Sequence, residues 1–206
     1  MSIIKLNNQA VKNATSFGSI SSLGSMTLIK KLTASSSATL SFVDGSSGVV
    51  LDSTYKEYLF TFNNIHPSAS ASFMFNMSTD SGNNYNVTKT TTVFRAFHAE
   101  SGSFSGLGYD TAFDLAQSTA FQDLTGDSIG TDNDSGVSGS LQLFNPSSTT
   151  FVKHFIVNVS LSKNNNEAKN QFVAGYGNTT SSIDAVRFQM DSGNIDAGDI
   201  CLYGIA

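Results

Sequence analysis

Apolar and polar residues alternate with a period of two along much of this chain. In "YKEYLFTFN" the residues Tyr58, Phe60 and Phe62 fall on one side, in "SFMFNM" Phe73, Phe75 and Met77 do so, and in "TTFVKHFIVNVSL" the set is Phe151, Phe155, Val157, Val159 and Leu161. Successive side chains of a strand point to opposite faces, so each run describes one wall toward a core and one toward polar surroundings. Further strands are predicted at Thr27 to Leu32, Ala38 to Val43, Val87 to Phe97, Ser140 to Phe144, Gln171 to Tyr176, Ile183 to Met190 and Asp199 to Ile205. Turn-rich pieces such as "DGSSG", "TDSGNN", "TGDSIGTDNDSG" and "FNPSS" separate them. About ten strands with polar turns predict an all-β fold, a jelly-roll-like antiparallel β-sandwich. Only "DTAFDLAQSTAFQDL" offers a short helix, with an irregular crossing loop as the equal alternative.

Pro67 and Pro146 each follow a predicted strand, where a missing backbone donor costs least. Ile183 to Met190 and Asp199 to Ile205 read as paired strands joined by a loop that contains Gly193 and Gly198, whose missing Cβ permits positive φ. Val186, Phe188 and Met190 would then share a core with Ile200 and Leu202, and the final apolar segment would be an inner strand of a sheet. Residues 1–25, rich in Asn and Ser, read as an extended N-terminal arm, with a floppy leader as the equal alternative, which leaves 26–206 as one β-sandwich domain.

Charged residues make up only 13% of the chain, against roughly 25% in an average domain. Solubility therefore rests on neutral Ser, Thr, Asn and Gln. The net charge of −5 argues against a phosphate-backbone partner, so nucleic acid is not expected. No apolar run approaches the ~20 residues of a membrane span, and the start lacks the apolar stretch of a secretory signal, so assembly in a cytoplasm is expected. The one cysteine, Cys201, reads as a buried small hydrophobe.

Catalytic chemistry finds little footing. The histidines His66, His98 and His154 lie far apart, without the close spacing of a typical metal pair. No G-x-S-x-G nucleophile elbow or phosphate-binding G-K-[ST] occurs, and "GLGYDT" and "GYGNTT" lack the third glycine of a dinucleotide fingerprint and read as loops. The acidic loop offers Asp123, Asp127, Asp132, Asn133 and Asp134, oxygen ligands of the kind calcium prefers. Its spacing fails the EF-hand template, and a solvated turn cluster is the favoured reading. Glu57, Glu100 and Glu167 are the only glutamates, and no two acids stand out as a glycosidase pair. The sequons at Asn13, Asn76, Asn86, Asn158 and Asn178 are what so much Asn, Ser and Thr gives by chance. No catalytic, cofactor or metal residue is expected.

"STYKEYLFTFNNIHP", "FNMSTDSGNNYN", "DLAQSTAFQDL", "SLQLFNPSSTTFVKHFIVNV" and the closing "IDAVRFQMDSGNIDAGDICLYGIA" resemble structural virion proteins of tailed bacteriophages, many of them marine. The likeness covers roughly residues 54–206 and is most specific in "GNIDAGDICLYGI". It implies a non-enzymatic β-sandwich exposed on the particle as a capsid-decorating or tail-appendage subunit. It further implies a homotrimer or other symmetric oligomer in contact with capsid or tail proteins, and virion localisation after assembly in the host cytoplasm. It carries no site motif to transfer. The alternative is a receptor- or carbohydrate-binding module of a tail fibre or spike. There Tyr85, Tyr109, Tyr176 and Phe104 would supply stacking platforms for a host-surface glycan.

Overall fold

Aromatic and β-branched residues at every second position suit a pleated surface buried on one face, and they build most of the strands in this chain. The computed structural model describes residues 25–206. In chain order the strands are β1 (Met26–Thr33), β2 (Thr39–Val43), β3 (Glu57–Pro67), β4 (Phe73–Ser78), β5 (Lys89–Ala99) and β6 (Ser105–Tyr109). They continue with β7 (Gln122–Asp123), β8 (Gly136–Phe144), β9 (Lys153–Ser162), β10 (Glu167–Gly177), β11 (Ala185–Met190) and β12 (Ile195–Ile205). Every pairing is antiparallel.

The strands form two layers of unequal width. The larger sheet has eight strands in the order β1-β12-β3-β8-β9-β10-β5-β6, and the smaller has four in the order β2-β11-β4-β7. The fold is an antiparallel β-sandwich, as the alternation predicts. Along the chain β1 to β4 alternate between the larger and the smaller sheet, β7 returns to the smaller one, and β8, β11 and β12 alternate again, whereas β5, β6, β9 and β10 only widen the larger sheet. The arm assigned to residues 1–25 lies outside the described residues, except for Ser25.

Phenylalanines fill the space between the layers. Phe188 of β11 packs against Phe42 in β2, Phe73 and Phe75 in β4, and Phe60 and Phe62 of β3 across the gap, at centroid separations of 5.2–6.3 Å. All six rings are essentially inaccessible to solvent. Edge-to-face geometry dominates the contacts across the gap, as ring quadrupoles prefer.

Several expectations need correction. β11 and β12 are not a hairpin: β11 lies between β2 and β4 in the small sheet, and β12 lies between β1 and β3 in the large one. Gly193 does take positive φ (68°), but in a connection that crosses between layers, and Gly198 (112°) lies inside β12, where its register with β3 shifts. Phe188, Ile200 and Leu202 still meet the same core because they approach it from opposite sides. Phe151 is exposed, since β9 begins only at Lys153, whose side chain takes the inward position. No helix forms in "DTAFDLAQSTAFQDL". That stretch is a crossing loop that ends in β7. "GLGYDT" is largely strand β6, and Gly175 to Gly177 of "GYGNTT" end β10, so neither is simply a loop.

Phe188→Ala should cost about 3–5 kcal/mol, because five neighbouring rings cannot close the void. Urea denaturation of the purified chain checks this. A chain ending before Asp199 loses Ile200 and Leu202, roughly 3–6 kcal/mol of burial, and separates β1 from β3. We expect it to be insoluble, against a cooperatively melting full chain, in a fractionated expression test.

Candidate binding surface

The widened half of the larger sheet, β8-β9-β10-β5-β6, inverts the usual polarity. Register fixes which residues share a side: Val93 pairs with Val173, which pairs with Val157, while one position along Phe94 pairs with Phe172, which pairs with Asn158. The charged residues of these strands are Lys89, Arg95, Lys153, Glu167 and Lys169, and all five occupy the inward set. No outward position of the five strands carries Asp, Glu, Lys or Arg. Elsewhere on the same outer face charge returns: Lys31 and Asp199 pair at 2.9 Å on β1 and β12, and Glu57 of β3 accepts a hydrogen bond from Gln142 at the border.

Beneath this half, the loop between β6 and β8 supplies acids to the inward cations. Asp127 Oδ2 lies 3.1–3.2 Å from Arg95, Lys163 and Lys169, and Arg95 also sits 3.0 Å from Asp110, close enough to pair but not aligned for a hydrogen bond. Burial pushes the Asp127 carboxyl up, but the Lys163 and Lys169 ammonium groups outweigh it and hold the carboxyl below its usual range. Lys169 moves down through burial, partly offset by Asp127. Gly126 makes the close approach feasible. Its φ is 60°, and a Cβ there would run into the amide of Gln171. That fully buried amide has no hydrogen-bond partner among the described residues.

Lys89 and Lys153 are the inward cations that have no carboxylate partner among the described residues; Lys153 donates to the carbonyls of Phe151 and Thr179. Lys89 is buried to 0% exposure and donates to Asn76 Oδ1 at 2.6 Å and to the Val87 carbonyl at 2.9 Å. Desolvation pushes its ammonium down to about 7. Asn76 in turn donates to the carbonyls of Tyr85 and Thr119, so this buried pair ties β4 to both flanking loops.

The outward side is a lattice of neutral side chains. One row across the strands reads Asn158, Phe172, Phe94, Tyr109; the next reads Ser160, Asn170, Ala96, Leu107. Phe94 and Phe172 stack at 4.7 Å and 9°, which makes a ridge. A shallow cavity of about 430 Å³ lies to one side, with Ala174 at its floor and Phe144, His154, Ile156 and Tyr176 around it. A second of about 290 Å³ lies to the other side, above Ala96 and Ala168. Phe94, Leu107, Tyr109 and Ile156 are four of the eight large hydrophobic side chains that the described residues expose.

The residues singled out from sequence are scattered by the fold. Tyr109 and Tyr176 lie on this face, whereas Phe104 packs against Phe97 of the inward set. Tyr85 does not: it is buried, with the Arg187 guanidinium 3.9 Å from its ring centroid. His98 and His154 are both outward here but several rows apart, and His66 contacts the Asp132 carbonyl at the far end of β3. The acidic loop divides: Asp132, Asn133 and Asp134 form an exposed turn, as expected, whereas Asp123 and Asp127 are drawn into the structure. Asp127 is the ion-pair hub, and Asp123 Oδ1 accepts from the backbone N–H of Thr125 and Gly126. Among the described residues no three His, Cys, Asp or Glu gather as a metal site. Cys201 is buried as expected, though it points to the outer side of the sheet, level with Thr61 and Lys31. Phe94 and Phe172 were missed as surface residues because their alternation reads equally well with either face inward, and Leu107 because the glycines around it weaken the strand pattern.

No protein-family model matches the chain, no curated protein matches it, and no solved structure matches its fold.

Two measurements probe the inward charges. Between pH 7 and about 10.5 the unfolded chain keeps a proton on Lys89 that the folded chain has released, so stability should rise with pH in that window, at up to about 1.4 kcal/mol per pH unit. Lys89→Met should flatten the rise and be the more stable protein at pH 7, as read by urea midpoints from pH 7 to 10. Asp127→Ala leaves three cations facing one another and should lower stability by about 2–4 kcal/mol. Added calcium or a chelator should leave the melting temperature of the parent chain unchanged.

Proposed function

We propose that the protein is a non-enzymatic structural subunit of a tailed-bacteriophage virion, exposed on the particle as a capsid-decorating or tail-appendage component. The observation that carries this reading is the charge-free outer face of β8-β9-β10-β5-β6. A chain that turns every charge of five strands inward and leaves stacked aromatics outward has a surface suited to contact, since uncharged faces with exposed aromatics are typical of interaction sites. Strand order supports the reading at the level of architecture. The order β1-β12-β3-β8 over β2-β11-β4-β7 supports a jelly roll of two nested Greek keys, an arrangement used by capsid and lectin domains, with β5-β6 and β9-β10 as insertions. Architecture alone does not decide function, so the resemblance of residues 54–206 to phage virion proteins supplies the particle. In this reading the arm, residues 1–25, joins the subunit to capsid or tail proteins, and assembly takes place in the host cytoplasm.

A second reading, recognition of a neutral host-surface glycan, is favoured by the cavity of about 430 Å³ beside Tyr176 and His154. Its size falls within the range of small-ligand pockets.

Particles banded from lysates of the host that carries this gene should contain the chain in fixed stoichiometry by quantitative mass spectrometry, and antibody should label intact particles. Deletion of residues 1–25 should abolish incorporation and leave the sandwich's melting transition in place. Particles that lack the chain altogether overturn the assignment.

A further inference from the structure

We infer that the charge-free face is a two-fold interface, on which a second copy of this chain packs its own β8-β9-β10-β5-β6 face. The inference rests on the reading of that face as a contact surface and is independent of the particle on which the subunit sits.

Charge is the first argument. The chain carries a net charge of −5, so most pairings of its surface with itself bring like charges together. On the outward half-sheet two copies can meet with no Asp, Glu, Lys or Arg of these strands on either side. A partner of strong charge, nucleic acid or an anionic bilayer, gains nothing there.

Shape is the second. The Phe94–Phe172 ridge rises beside the cavity floored by Ala174. Ridge and cavity lie on adjacent rows, two residues or about 7 Å apart along the strands. A two-fold axis between those rows places the ridge of each copy in the cavity of the other, and both contacts form at once. A single flat patch that carries its own knob and its own hole is self-complementary, the signature of an isologous contact; a cyclic trimer would instead need two different patches.

Size is the third. Four interstrand steps by about ten residues give roughly 600 Å² in projection, and side-chain relief raises the accessible area toward the ~800 Å² per partner of a stable interface. Covering it would also bury Leu107 and Tyr109, which β6 otherwise exposes on an open sheet edge.

Sedimentation velocity of the purified full chain over a concentration series tests this. The parent chain should sediment as a dimer. Phe94→Glu and Phe94→Lys should each weaken dimerisation by roughly a hundredfold, because they place like charges across the axis. Ala174→Phe, which fills the cavity, should do the same without adding charge. Mixing Phe94→Glu with Phe94→Lys should restore the dimer, a rescue that a merely destabilised sheet could not show; circular dichroism and urea midpoints of the monomeric variants confirm an intact fold. A parent chain that stays monomeric at all concentrations overturns the inference, and so does an oligomer indifferent to all three substitutions. A monomer that binds neutral polysaccharide, with binding lost in Ala174→Phe, overturns it in favour of glycan recognition. Incorporation into particles is a separate readout, so failure of the dimer and failure of the virion reading cannot be confused.

Discussion

The larger layer of this sandwich is twice as wide as the layer that faces it, eight strands against four, and that mismatch governs the molecule. Over the matched half, two sheets press a phenylalanine core between them, as sheet-on-sheet packing requires. Over the unmatched half, no second sheet covers the inner side of β10, β5 and β6, and the long connection between β6 and β8 lies there instead. A loop of that length carries backbone groups no sheet ladder satisfies, so the surface beneath it must offer hydrogen bonds and charge. The inward positions accordingly change along each strand. On β10 they run from Val173 through Gln171 to Lys169 and Glu167, and on β5 from Val93 to Arg95.

Asp127 is where the loop is fastened. Three cations from β5, β10 and the turn after β9 converge on one carboxylate oxygen, and removing any partner leaves charge stranded in a partly closed space. With its charges spent on the inner side, the outer side of the same strands is free to be neutral and aromatic. The candidate binding surface is thus the reverse of the loop-anchoring network, and both follow from the missing strands of the smaller sheet.

Much of the fold was legible in the alternation. Tyr58, Phe60, Phe62, Phe73, Phe75, Met77, Val157 and Val159 are buried where the period-two pattern puts them, and most strands were located to within a few residues. β6 was missed because "SGLGY" carries two glycines and a single aliphatic, too weak a pattern to register; its hydrogen bonds come from its neighbour β5 rather than from its own propensity. The pairing of β11 with β12 failed for a different reason. A short glycine-bearing connection suits a hairpin and a crossing between layers alike, and only the competition of β2, β4, β1 and β3 for partners decides which forms.

The candidate surface was legible only in fragments. Tyr109 and Tyr176 were named from sequence, but for the same aromatic character that singled out buried Tyr85. Alternation states that two faces differ and never which of them water sees. For β3, β4 and the aliphatic stretch of β9 the apolar face is the inner one, since the opposite sheet is there to receive it. β5 reads as Lys, Thr, Val, Arg on one side and Thr, Phe, Ala, His on the other, β10 as Glu, Lys, Gln, Val against Ala, Asn, Phe, Ala, and neither pattern says which side is covered. The sequence by itself determined the strands, their two-sided character and the low charge. Tertiary structure decided the sidedness, because a side chain's burial depends on what the rest of the chain places over it: a facing sheet for one half, an acidic loop for the other.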